Sequence, residues 1–96
     1  MTALTLVATF QAKPGTRGQL AERLQEMVTL TKPEPGCVRY DLHVDRKDDH
    51  RFVFIETWAD ELALDTHMET EHVQALLADA PHLTTNGLQL LKLQLI

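Results

Sequence analysis

Serine is absent from all 96 residues, which excludes a Ser-His-Asp catalytic triad outright. Cysteine occurs once, at Cys37, so an internal disulfide framework is impossible and a reducing, cytoplasmic setting is expected. Within a strand, a lone small thiol is expected to fill space rather than react. Positive charge is scarce and scattered: nine Lys and Arg stand against fourteen Asp and Glu, for a net charge of −5. A nucleic-acid partner would need a basic stripe, and there is none. No apolar run approaches the roughly 20 residues that span a membrane. The opening MTALTLVATF lacks a basic leader and a small-residue cleavage site, so it is not expected to be a signal peptide. HExxH, paired Cys/His zinc spacings, GxGxxG and GxxxxGK(S/T) are all missing. No motif therefore calls for a metal, flavin, nicotinamide or nucleotide cofactor.

What is present is an ordinary globular composition, 44% hydrophobic and 24% charged, in a length that makes one domain over residues 1–96. Residues 3–12 alternate with period two, Leu4, Leu6, Ala8 and Phe10 against Thr5, Val7, Thr9 and Gln11, as a strand does. KPG at 13–15 ends it, and a helix from Thr16 to Thr31 gathers Leu20, Leu24, Met27 and Val28 on one face. KPEPG at 32–36 stops that helix, because each proline removes a donor and disfavours helix just before it. A second strand from Cys37 to Asp45 sets Val38, Tyr40, Leu42 and Val44 opposite Arg39, Asp41 and His43. The polar DRKDDH at 45–50 makes a hairpin, with His43 and His50 beside it expected to face water. The third strand, RFVFIETW, is apolar on both faces. Asp60 and Thr70 are placed to cap two short helices, the first carrying Leu64, His67 and Met68, the second Val73, Leu76 and Leu77. DAPHLTTNG at 79–87 reads as a loop, and LQLLKLQLI closes the chain as a strand.

The order is β-α-β-β-α-β, an α+β ferredoxin-like sandwich with a four-stranded antiparallel sheet. Its helices cover one face only. The other face would leave a large apolar patch in water. A second copy packed sheet against sheet, as a homodimer, is expected to cover it.

The chemistry gathers in ETWADELALDTHMETEHVQALL, residues 56–77. His67 and His72 are five apart, which on one helix points the rings roughly 140° away from each other. Zinc helices use i and i+4 instead. Thr70 as a cap breaks the helix between them, so the angle no longer applies and the two rings share a bend. Each is either a hydrogen-bonded structural histidine or a base. Glu56 and Trp58 lie on the strand face that carries Phe54. A carboxylate there needs a partner, either a backbone group or a histidine that it orients. Trp58 is expected in the core or on a pocket wall. Tyr40 offers its hydroxyl to a cavity or lies in the core with a solvated tip.

These motifs resemble the antibiotic biosynthesis monooxygenase domain: E-x-G-C…Y, then F-x-x-x-E-x-W, then L-x-x-H-x-x-T-x-H across residues 33–77, with AKPG at 12–15. Two prolines usual in that family, one before the third strand and one between Thr70 and His72, are absent. The resemblance implies a dimeric α/β barrel with a pocket between sheet and helices in each protomer. It implies oxidation of a small aromatic phenol or quinol by O₂ with no cofactor. The protein removes a phenolic proton, and the electron-rich anion reduces O₂. In that reading His67 or His72 is the base, Glu56 orients it, and Tyr40, Trp58, Phe54 and Met68 shape the substrate pocket. Haem-degrading relatives use an Asn, a Trp and a His where this chain aligns Ala8, His67 and Leu77, so that activity is not expected. The alternatives are an isomerase of a phosphorylated signalling sugar, which would need a phosphate-binding cluster of bases, and a non-catalytic small-molecule-binding or stress-responsive barrel.

Overall fold

A computed structural model describes residues 3–96. The elements run β1 (Leu4–Ala12), α1 (Arg17–Thr31), β2 (Cys37–Val44), β3 (Arg51–Trp58), α2 (Glu61–Met68), α3 (Glu71–Leu83) and β4 (Thr84–Gln94). The sheet order is β2-β3-β1-β4, with every neighbouring pair antiparallel. This is the expected ferredoxin-like arrangement, with two short helices where the simplest form has one. The period-two pattern of β1 buries Leu6, Ala8, Phe10 and Ala12. β3 adds Phe52, Phe54, Glu56 and Trp58 to the same face. Leu20, Leu24 and Met27 of α1 and Val73 and Leu76 of α3 close over them. No helix among the described residues is long and apolar enough to cross a membrane.

The opposite face carries Val7 between its two strand partners, Ile55 on β3 and Leu91 on β4. Thr5 pairs there with Leu93. Leu91 and Leu93 are 57% and 41% exposed, so the single chain presents the apolar second face expected from the sequence.

Two expectations need correction. Val38 does not share the face of Tyr40. The β2–β3 register shifts between Cys37 and Arg39, so one extra residue bulges out, and Val38 is 66% exposed. A bulge leaves its added residue unpaired and reverses the local alternation. The second correction is at 79–87, where α3 continues through Pro81 to Leu83 and β4 begins at Thr84. Near the end of a helix Pro81 forfeits one hydrogen bond. The loose carbonyls of that last turn find other donors: Lys13 Nζ reaches Pro81 O at 2.8 Å, and Thr16 Oγ1 reaches Leu83 O at 2.8 Å. Tertiary bonds from the β1–α1 turn thus complete a helix end that local sequence rules would break off.

The turn from α1 into β2 positions the site. Glu34 N donates to Thr31 O at 2.9 Å, Cys37 N to Glu34 O at 3.1 Å, and Ala59 N to Gly36 O at 2.8 Å. Gly36 has φ +82°, and a Cβ built there would lie 2.5 Å from Ala63 Cβ. Only glycine suits both the left-handed backbone and the close approach of α2. Gly36→Ala is expected to lower stability by about 2–4 kcal/mol, read from urea denaturation midpoints. A loss below about 0.5 kcal/mol would show that the turn relaxes freely.

Candidate functional site

Local capping sets the geometry. Asp60 accepts a hydrogen bond from Ala63 N at 2.8 Å and Thr70 from Val73 N at 3.4 Å, so α2 and α3 each begin at a side-chain cap. Thr70 Oγ1 also donates to the His67 carbonyl at 2.7 Å, clamping the bend. His67 therefore lies in the last turn of α2 and His72 in the first turn of α3.

Both rings turn toward the α1–β2 turn and meet one carboxylate oxygen. His67 Nδ1 lies 2.9 Å and His72 Nε2 2.7 Å from Glu34 Oε2. A carboxylate of this kind accepts only, so Nδ1 of His67 carries the proton. His67 Nε2 takes part in no hydrogen bond among the described residues and, with Nδ1 protonated, is left as an acceptor. Glu34 is the residue that sequence reading left out of the site. Its signal was present, since it opens the E-x-G-C motif, but nothing local brings residue 34 to residues 67 and 72.

Glu56 binds elsewhere. Trp58 Nε1 donates to its Oε1 at 2.9 Å, and no hydrogen bond joins Glu56 to a histidine among the described residues. Residues i and i+2 share a strand face, so Glu56 reaches Trp58 along β3. His67 instead stacks on Trp58, with ring centroids 4.5 Å apart. Tyr40 lies against Phe54 at 4.5 Å and edge-on to His67 at 5.7 Å.

A cavity of about 30 Å³ lies between sheet and helices, bordered by Tyr40, Phe54, Glu56, His67 and Met68 with apolar side chains such as Leu6 and Leu76. Five of the seven anticipated site residues thus meet at one wall. Trp58 is not among its lining residues and supports His67 and Glu56 by stacking and hydrogen bonding. His72 lines a separate recess with Arg23, Glu26 and Leu30. His43 is exposed and His50 is half-buried, and neither approaches this cavity's lining.

Burial dominates the electrostatics. It pushes the Glu56 carboxyl up from 4.5 to about 7, with the Glu34 charge adding and the Trp58 N–H opposing. Burial lowers His67, partly offset by the Glu34 carboxylate. The Tyr40 hydroxyl is raised by burial and then by the Glu56 charge. The Cys37 thiol is raised by burial and by both glutamates, in keeping with an inert thiol. Near neutrality the cavity wall thus holds a neutral imidazole with a free lone pair and a carboxyl poised between its two forms. That pairing can move a proton to and from a bound hydroxyl.

A family model described as antibiotic biosynthesis monooxygenase matches residues 3–79. "Putative monooxygenase YcnE" of Bacillus subtilis is 30% identical over 92 residues, covering 96% of this chain and 97% of that protein. The chain spans 54% of the length of "Uncharacterized protein sll1783" of Synechocystis, at 26% identity. The crystal structure of PA3566 from Pseudomonas aeruginosa superposes with a TM-score of 0.94 at 38% identity, covering 100% of this chain and 96% of that one. A crystal structure described as an antibiotic biosynthesis monooxygenase gives 0.90 at 34% identity, covering 97% and 98%.

Because the folded protein holds the Glu56 proton more tightly than the unfolded chain, this group favours the fold below pH 4.5 and loses that contribution as pH rises through about 7. His67 acts in the opposite sense: its lowered value makes the fold resist protonation, so stability grows as pH climbs toward the ordinary 6.5. Glu56→Gln removes only the first effect. Relative to wild type, the variant is expected to gain about 3 kcal/mol in going from about pH 4 to about pH 8, measured by urea denaturation at each pH. Parallel curves for the two proteins would mean that Glu56 titrates like a free carboxylate.

Proposed function

The chain belongs to the antibiotic biosynthesis monooxygenase family, and on that premise we propose that it oxidises a small phenol or quinol with O₂ directly, without metal or flavin. The observation that carries this reading is His67, a lining residue of a largely apolar cavity, with Nδ1 held by Glu34 and Nε2 in no hydrogen bond among the described residues. His67 Nε2 takes the phenolic proton. The resulting anion, kept from water by apolar walls, passes an electron to O₂, and the radical pair closes to a ring peroxide, which takes the proton held on His67 to become the hydroperoxide. His67 then removes the proton of the ring carbon that bears the hydroperoxide as the O–O bond breaks, which leaves one oxygen atom in a new quinone carbonyl and the other as hydroxide. The substrate supplies all four electrons, so no external reductant is needed. The ring proton passes from His67 to the departing hydroxide, which leaves as water. Glu34 orients the base and stabilises its charged form, the part first expected of Glu56. Glu56, in its protonated form, donates to a substrate oxygen.

The cavity is far smaller than ordinary ligand pockets of several hundred cubic ångströms. Admitting an aromatic ring requires Met68, Leu77, Leu88 and Leu90, the less buried parts of its border, to move aside. In this reading the protein works as a homodimer, sheet against sheet through Val7, Ile55, Leu91 and Leu93. Apolar burial on that face opposes the loss of freedom on association.

With metal-free protein and a panel of quinols, O₂ uptake is expected to exceed background. His67→Ala is expected to lower it by about 10²–10⁴-fold, the usual contribution of a general base. A wild type that consumes no oxygen across the panel overturns the reaction, and an unimpaired His67→Ala overturns the assignment of the base. Light scattering is expected to give twice the 10.9 kDa protomer mass, and Ile55→Lys to return the protomer. A wild-type protomer at micromolar concentration would sink the dimer.

A further inference from the structure

Glu34, His67 and His72 do more than fix a base. Their donor atoms all lie within 4.8 Å of one another, and they come from three separately anchored segments: the α1–β2 turn, the end of α2 and the start of α3. Two imidazole nitrogens and one carboxylate form a donor set that divalent transition ions bind well. We infer that these three side chains form a binding site for a divalent transition ion of the zinc type, and that filling it switches His67 off as a base.

The contacts to Glu34 need little change. Metal–ligand bonds of roughly 2.0–2.1 Å at a tetrahedral ion put neighbouring ligand atoms about 3.3 Å apart. The Glu34 Oε1 to His67 Nδ1 distance is already 3.2 Å. The two contacts to Oε2, at 2.9 and 2.7 Å, must open by about half an ångström. Glu34 sits on a turn and can retreat that far. At present the bridging particle is a proton in each contact, and an ion would take the place of both. Water, or the second Glu34 oxygen, completes the coordination.

Access and charge also fit. The cavity that His67 lines is bordered mostly by apolar groups, but His72 borders the recess with Arg23 and Glu26 on the α1 side. Its side chain is 19% exposed, so an ion can arrive there without crossing the cavity. Arg23, the cation beside that recess, is paired with Asp79 at 2.5 Å. Glu26 and the carboxylate of Glu34 favour a cation, as does Glu56 when ionised. Around the ligands, Thr70 holds the His67 carbonyl and Trp58 stacks on its ring, which fixes where that ring lies.

The consequence follows from imidazole chemistry. Without the ion, Nδ1 holds the ring proton and Nε2 offers its lone pair to the cavity. With an ion on Nδ1, a neutral ring must carry its proton on Nε2. The same ring then presents a donor where the reaction needs an acceptor. The ion binds on the side of His67 away from the cavity, so it blocks the base without touching substrate. This switching role rests on the function proposed above, whereas the ion site does not.

Titration of the full metal-free chain with Co²⁺ tests the site. One equivalent is expected, with the intense visible d–d bands of four-coordinate cobalt, discharged by Zn²⁺. His72→Gln and Glu34→Gln are each expected to weaken binding by more than the ~10–100-fold that a lost outer-shell partner costs. His50→Ala, which disrupts the separate Asp48–Asp49–His50 group, is expected to leave binding unchanged. Nitrogen-15 spectra of the zinc-loaded protein are expected to show His67 Nε2 protonated. Weak, six-coordinate-type cobalt absorption, wild-type affinity in His72→Gln, or a loss confined to His50→Ala would overturn the site. His72 is partly exposed, so its glutamine variant decides the matter even if Glu34→Gln fails to fold. Zinc binding with His67 Nε2 left unprotonated would overturn the switch. None of these readouts uses oxygen uptake, so the site and the proposed reaction fail separately.

Discussion

One carboxylate oxygen joins three parts of the chain that are far apart in sequence. Glu34 Oε2 accepts from His67 on α2 and His72 on α3, while its own backbone is tied to Thr31 and Cys37. Two N–H donors compensate the desolvation of that negative charge. The same contacts decide the tautomer of His67, hence which nitrogen is left with a free lone pair. Gly36 makes the arrangement possible by letting the turn lie against Ala63 without a side chain. The architecture of the site is therefore set from the turn outward rather than from the helices inward.

Glu34 and Glu56 show how surroundings divide the work between two like groups. Glu34 has two nitrogen partners. Glu56 has one, the Trp58 indole N–H, among buried apolar side chains. Burial outweighs that single bond and lifts its proton affinity to near neutrality. Trp58 touches both halves, as donor to Glu56 and as the ring beneath His67.

The sheet separates two different demands. Its helix-covered face is densely filled, with a cavity of about 30 Å³ that His67 lines. Its other face has no helices and presents Val7, Ile55 and Leu91 side by side. Dense packing on the first face gives the site a dry, low-dielectric wall in which hydrogen bonds to charged groups strengthen. The same density means that a ligand can enter only with rearrangement of the border side chains.

Strand alternation, proline stops and capping residues made the four strands, the first helix and the bend at Thr70 legible without coordinates, because those signals act over a few residues. The same signals failed at Val38 and at 79–87. A bulge depends on how two strands register, and a helix passes through Pro81 because Lys13 and Thr16 supply donors from afar. The E-x-G-C, E-x-W and H-x-x-T-x-H patterns named Glu56, Trp58, His67 and His72 as a group, but their order along the chain carries no partner assignments. Only tertiary structure gave Glu56 to Trp58, gave both histidines to Glu34, and placed His67 on the cavity and His72 in a separate recess. Hydrogen bonds between side chains 33 and 38 positions apart arise from where the folded backbone brings them, and no local pattern encodes that distance.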